Sequence, residues 1–158
     1  MGFNVEAIEY NGVCMHIWDI GGQSKIRPLY RHYFVNTDAL IFMLDSSDHE
    51  RIEEAKEEMF DVLRDPNMDG CRTVLTFLNK QECLILLRPL GLFPLLPPSP
   101  QDLPGTLTPS VMTEKLDIDG SRSNPLQRRR WYTQGCCAVT GEGVVEGLDW
   151  LCQELRQN

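Results

Sequence analysis

The 158 residues carry 23 acidic against 15 basic side chains, a net charge of −8, and 42% of them are apolar. That length and apolar content fit one domain with its own core, and the acidic balance excludes nucleic acid as the main partner, which would want a basic face. Six cysteines, at 14, 71, 83, 136, 137 and 152, form no Cys-x-x-Cys pair and no metal-ligand spacing, so they read as buried, reduced thiols of a cytoplasmic protein.

No signal peptide is expected ahead of the first strand. Met1-Gly2 lacks the Ser or Thr at position 6 of a myristoylation signal, since Glu6 stands there. Residues 5–10 and 13–18 alternate around Asn11-Gly12, which predicts two strands joined by a two-residue hairpin turn. A helical or irregular segment is expected over 24–34. Residues 39–45, Ala-Leu-Ile-Phe-Met-Leu-Asp, form the continuous apolar run of a strand buried on both faces. Ser47-Asp48-His49-Glu50 reads as a capping box for a helix to about residue 64, with Ile52, Ala55, Met59 and Val62 on its apolar face. Another strand is expected over 72–78. Thr108-Pro109 opens a helix through 116. Arg128-Arg129-Arg130 reads as a solvated loop, residues 131–136 as a strand, and 143–157 as a closing amphipathic helix. His16, His32 and His49 are scattered and read as ordinary strand or surface residues. Strands alternating with helices predict an α/β fold, a mainly parallel sheet with helices on both faces.

Residues 82–101, ECLILLRPLGLFPLLPPSPQ, interrupt this alternation with five of the ten prolines. They are too short and too broken by Arg88 and Pro89 to span a membrane. Proline at 89, 94, 97, 98 and 100 forbids a helix interior and a central strand, which leaves an irregular, apolar insert. Without it, Asn79-Lys80-Gln81 would run directly into Asp102.

Trp18-Asp19-Ile20-Gly21-Gly22-Gln23 carries the clearest chemistry. An apolar strand delivers an aspartate at its carboxyl end, where ligands of open α/β sheets sit. Such an aspartate can hold Mg²⁺ through water, the glycines let a phosphate approach the backbone, and the glutamine can orient an attacking water. No Gly-x-x-x-x-Gly-Lys-Ser/Thr phosphate loop occurs in the sequence.

The runs Gly2-Phe3-Asn4-Val5-Glu6, Trp18 to Gln23, Lys25-Ile26-Arg27-Pro28-Leu29-Tyr30-Arg31-His32-Tyr33-Phe34 and Gly147-Leu148-Asp149-Trp150-Leu151 resemble the ADP-ribosylation factor (Arf) small GTPases. The resemblance covers nearly everything outside 82–101. It implies a Ras-like P-loop NTPase fold, GTP or GDP with Mg²⁺ as ligands, GTP hydrolysis, and a role in vesicle-mediated protein transport. Carried over singly, Asp19 resembles the water-mediated magnesium contact, Gly21 and Gly22 the γ-phosphate turn, and Gln23 the catalytic residue that positions water. Asn79 and Lys80 resemble the guanine-reading pair, with Glu82 or Asp102 as the carboxylate partner. Cys137-Ala138 resembles the second guanine loop, the Ala138 N–H meeting the base. Phe3, Trp18 and Tyr33 resemble the aromatic trio that engages effectors. Exchange factors, GTPase-activating proteins and effectors are the implied partners, with the intact family member at Golgi or endosomal membranes.

Measured against that pattern, residues 1–158 begin within switch I. The expectation is a single incomplete domain, a truncated isoform without the switch threonine, first strand, phosphate loop, first helix or membrane anchor. Residues 39–44 and 72–78 are expected to flank the place of that strand, in a loosely packed, aggregation-prone chain. Three readings follow: an Arf-type GTPase with severely impaired nucleotide binding, a nucleotide-independent interaction fragment, or a non-functional splice or gene-model product.

Overall fold

The computed structural model describes residues 3–20, 31, 33–80, 107–117 and 124–157. Strands β1 (Phe3–Tyr10) and β2 (Val13–Ile20) pair antiparallel from Tyr10↔Val13 out to Phe3↔Ile20. Asn11 and Gly12 both take positive φ, 48° and 71°, the two-residue turn whose twist matches the strands and which asparagine and glycine tolerate.

A second sheet holds β3 (Ala39–Asp45), β4 (Thr73–Asn79) and β5 (Arg130–Gly135), all parallel with β4 in the centre. Helix α1 (Ile52–Arg64) follows β3, α2 (Pro109–Asp117) precedes β5, and α3 (Val144–Leu155) closes the chain. β4 is buried at every residue but its last, and its side chains alternate between two cores. Val74 and Leu78 join Met59, Phe60 and Leu63 of α1 and Met112 and Leu116 of α2. Leu75 and Phe77 join Leu151 and Cys152 of α3, with Met15 from the hairpin. One strand thus feeds two layers, as the period-2 pleat requires. Gly147 lets α3 approach β4 closely, because a Cβ there would lie 2.4 Å from the Phe77 ring.

Four expectations change. Residues 39–44 and 72–78 do not flank a gap: they are direct neighbours, in register from Ala39↔Thr73 to Asp45↔Asn79. The central β4 takes a strand on each edge, so the discontinuity lies between the hairpin and β3, which belong to separate sheets. Ser47 to Glu50 form no capping box. The Asp48 carboxylate is taken by the Arg51 N–H at 3.3 Å and Nε at 2.6 Å, and α1 begins at Ile52 without a side-chain cap.

Nor is Arg128-Arg129-Arg130 a solvated loop. Arg129 donates to four main-chain carbonyls: Cys71 at 2.8 Å, Pro125 at 2.7 Å, Leu63 at 2.9 Å and Met68 at 3.1 Å. Arg130 pairs with Glu154 at 2.6 Å. The thiols of Cys71, Cys136, Cys137 and Cys152 are buried as expected, whereas Cys14 is exposed on β2. The residues of the 82–101 insert lie outside those described.

Candidate functional site

β3 and β4 end side by side in polar residues, Asp45 opposite Asn79, and a turn follows β3. Ser46, fully buried, donates both its N–H (3.1 Å) and its hydroxyl (2.7 Å) to the Asn79 carbonyl. The chain leaving β5 joins the same corner through the Cys136 N–H, which donates to the Leu78 carbonyl at 2.8 Å. Ala138 then turns its N–H onto Asn79 Oδ1 at 2.9 Å. That contact fixes the amide orientation by hydrogen bonding, since an N–H needs an acceptor. Asn79 Nδ2 consequently faces the other way as a donor, and the half-buried residue offers it no hydrogen-bond acceptor among the described residues.

The loop bearing Ala138 is held internally. Cys137 N–H donates to the Glu142 carbonyl at 2.9 Å, Gly141 N–H to the Cys137 carbonyl at 2.8 Å, and Thr140 N–H to Cys137 Sγ at 3.4 Å. Cys137 is therefore a buried post for the loop, while Ala138 and Val139 are exposed at its tip.

Lys80 has a left-handed backbone, φ +68°, uncommon for a residue with a side chain. Its Nζ lies 2.5 Å from Asp45 Oδ2, while Asp45 Oδ1 accepts the Ser47 N–H at 3.0 Å and hydroxyl at 2.6 Å. Burial alone would raise the Asp45 carboxyl. The hydrogen bonds from Lys80 and Ser47 outweigh that and hold it at about 2.

Asn79, Lys80, Cys137 and Ala138 thus come together. Asp19 does not join them: it is exposed on β2, in the other sheet. Trp18, 48% exposed, lies with its ring centroid 5.5 Å from that of Tyr33. Phe3 begins β1, and its side chain is not among those described. Gly21, Gly22, Gln23, Glu82 and Asp102 lie outside the described residues.

No group of three or more His, Cys, Asp or Glu able to hold a metal ion occurs among the described residues. Asp19 alone does not make a magnesium site, which takes an octahedral oxygen shell. No described helix is long and apolar enough to cross a membrane.

Sequence reading missed Asp45 and Ser46, the partners that hold Asn79 and Lys80. The available signal was a polar residue ending an apolar strand at 45, as at 19 and 79.

The family model described as the ADP-ribosylation factor family matches residues 1–88 and 95–155, breaking inside the 82–101 segment. Among solved structures, the chain is similar to the Arl6 BBS3 small GTPase from Trypanosoma brucei, solved with the bound nucleotide analogue GppNp. Identity is 28%, the match covers 99% of this chain and 81% of that one, and the TM-score is 0.73. The α/β architecture, with Asn79 at the carboxyl edge of a parallel sheet, is that of the Ras-like small GTPases. By its sequence and its fold, this chain belongs to the ADP-ribosylation factor family.

Proposed function

We propose that Asn79, Lys80 and the loop at Cys137-Ala138 form the base-reading side of a guanine-nucleotide site, in an Arf-type GTPase acting in vesicle-mediated transport. The observation that carries this reading is the bond from Ala138 N–H to Asn79 Oδ1. It presents Asn79 Nδ2 as a fixed donor, suited to an acceptor on a purine edge, with the Lys80 stem alongside. The Ala138 N–H is spent on Asn79 in this arrangement, so a base carbonyl would share that donor.

On the phosphate side the reading rests on resemblance at Gly21, Gly22 and Gln23, the last orienting water for hydrolysis, with Asp19 toward Mg²⁺. Magnesium would supply charge neutralisation at the phosphates. The described residues do not build its site. Charge-assisted hydrogen bonds are worth about 1.5–3 kcal/mol each. A phosphate loop and its lysine supply on the order of four, or roughly 6–12 kcal/mol, equivalent to four or more decades of affinity. These 158 residues contain no such motif, so nucleotide binding by them alone is weak and base-directed. Purified chain is expected to lose GTP and GDP on desalting.

A second reading is favoured by Trp18, exposed yet in tilted ring contact with Tyr33. Exposed aromatics are common anchors of protein interfaces, and this pair, with Phe3, would engage Arf effectors and regulators without nucleotide.

Titration with guanosine monophosphate and adenosine monophosphate tests the first reading. The wild-type chain should prefer guanine, and Asn79→Ala should erase the preference. Equal binding of both nucleotides by the wild type would contradict it.

A further inference from the structure

The two residues that read the base in the proposed site are held quite differently. Asn79 is fixed on both sides, its carbonyl by Ser46 and its Oδ1 by Ala138. Lys80 stands on a left-handed backbone at the edge of the sheet, with its side chain half in solvent. A four-carbon stem ending in a compact, strongly hydrated ammonium has many rotamers, so a lysine placed to lie along a base needs something to fix its far end.

Asp45 is built for that task. Strand pairing sets it opposite Asn79. Ser47 donates its N–H and its hydroxyl to Oδ1, fixing the carboxylate, and Oδ2 meets Lys80 Nζ at 2.5 Å. We propose that Asp45 is the positioning residue for Lys80, anchoring the ammonium so that the stem stays extended beside Asn79. The inference rests on the guanine-site reading above and deepens it by adding β3 to the base-reading elements. Part-exposed ion pairs contribute little to stability. The effect of Asp45 therefore appears in ligand affinity and base preference more than in melting temperature.

The test is a double-mutant cycle on the full chain, with Asp45→Asn, Lys80→Met and the two combined. Guanosine monophosphate and adenosine monophosphate are titrated and followed by NMR, which detects millimolar binding. Asp45→Asn should weaken guanosine monophosphate binding by about three- to fivefold, the scale of one part-exposed ion pair, with no matching loss for adenosine monophosphate. In the Lys80→Met background the same substitution should change nothing, and Asp45→Glu should recover part of the loss.

A wild-type chain without guanine preference would defeat the guanine-site reading, and this inference with it. Guanine preference in the wild type that is unaltered in Asp45→Asn would overturn this inference alone. So would an equal loss from Asp45→Asn with and without Lys80, because Asp45 would then act on the fold rather than through the lysine.

Discussion

The guanidinium of Arg129 reaches the carbonyls of Leu63, Met68, Cys71 and Pro125. It ties the end of α1, the two short 3-10 turns (Pro66–Met68 and Pro125–Arg128) and the entry to β4 at one point. A planar fork with five donors suits such a set, and an ammonium does not. Arg129→Met should cost about 3 kcal/mol or more, since hydrogen bonds to a charged group contribute about 1.5–3 kcal/mol each and several are lost together. Thermal unfolding should show a fall of roughly 6–12 °C, and Arg129→Lys should recover less than half. Three arginines in a row look alike in the sequence; which one turns inward is set by carbonyls up to 66 residues away, so local pattern could not single it out. Thr133 is the opposite case, its buried hydroxyl without a partner among the described residues. Thr133→Val should leave stability unchanged or raise it by about 1 kcal/mol, because an unsatisfied buried hydroxyl carries a desolvation penalty. Asp45 adds a pH signature. Its folded pKa, about 2, lies below its ordinary 3.8, so its stabilising contribution is present above about pH 4 and is lost as pH falls through about 2. Urea unfolding of wild type and Asp45→Asn should therefore converge across that window.

The hairpin shares no strand pairing with the three-stranded sheet and is held by α3. Asp149 Oδ1 accepts the Tyr10 hydroxyl at 2.8 Å and Asn11 Nδ2 at 2.6 Å. The Cys152 thiol contacts the Tyr10 carbonyl at 3.7 Å. The hydrogen bond to Asp149 raises the Tyr10 hydroxyl above its ordinary value, keeping it a protonated donor. Asp149→Ala should loosen this attachment. Amide exchange should then quicken along β1 and β2 and stay unchanged in β4. Elements with strong local signals were legible: the Asn11-Gly12 turn, the bounds of β3, and α2, where Thr108 Oγ1 accepts the Val111 N–H at 3.3 Å. The expected capping box was misread, because Ser47, its first residue, donates both its N–H and its hydroxyl to Asp45 Oδ1. Both 3-10 turns did carry a signal, Asp65-Pro66 and Asn124-Pro125, whose side-chain oxygens each accept an N–H two residues on at 2.9 Å.

Across the molecule, β4 is covered on both faces and hydrogen-bonded on both edges, whereas among the described residues β3 and β5 each pair with one strand. Exchange protection should accordingly peak in β4, above β3. β3 has the apolar sequence of a strand buried on both faces yet is mostly half-buried, so its single-edge position was invisible to a reading of its own residues. The corner where Ala138 meets Asn79 was legible because both sit in recognisable motifs. The partners that shape it, Asp45 and Ser46, come from a separate strand end and emerge only with the register Asp45↔Asn79. The proposed guanine reading stands or falls with Asn79 as Ala138 holds it. The backbone amide of Ala138, followed by NMR during titration with guanosine monophosphate, tests this. Saturable shifts are expected at Ala138, Asn79 and Lys80 that adenosine monophosphate does not produce and that Asn79→Ala abolishes. Shifts equal for both nucleotides, or confined to residues away from this corner, would contradict it.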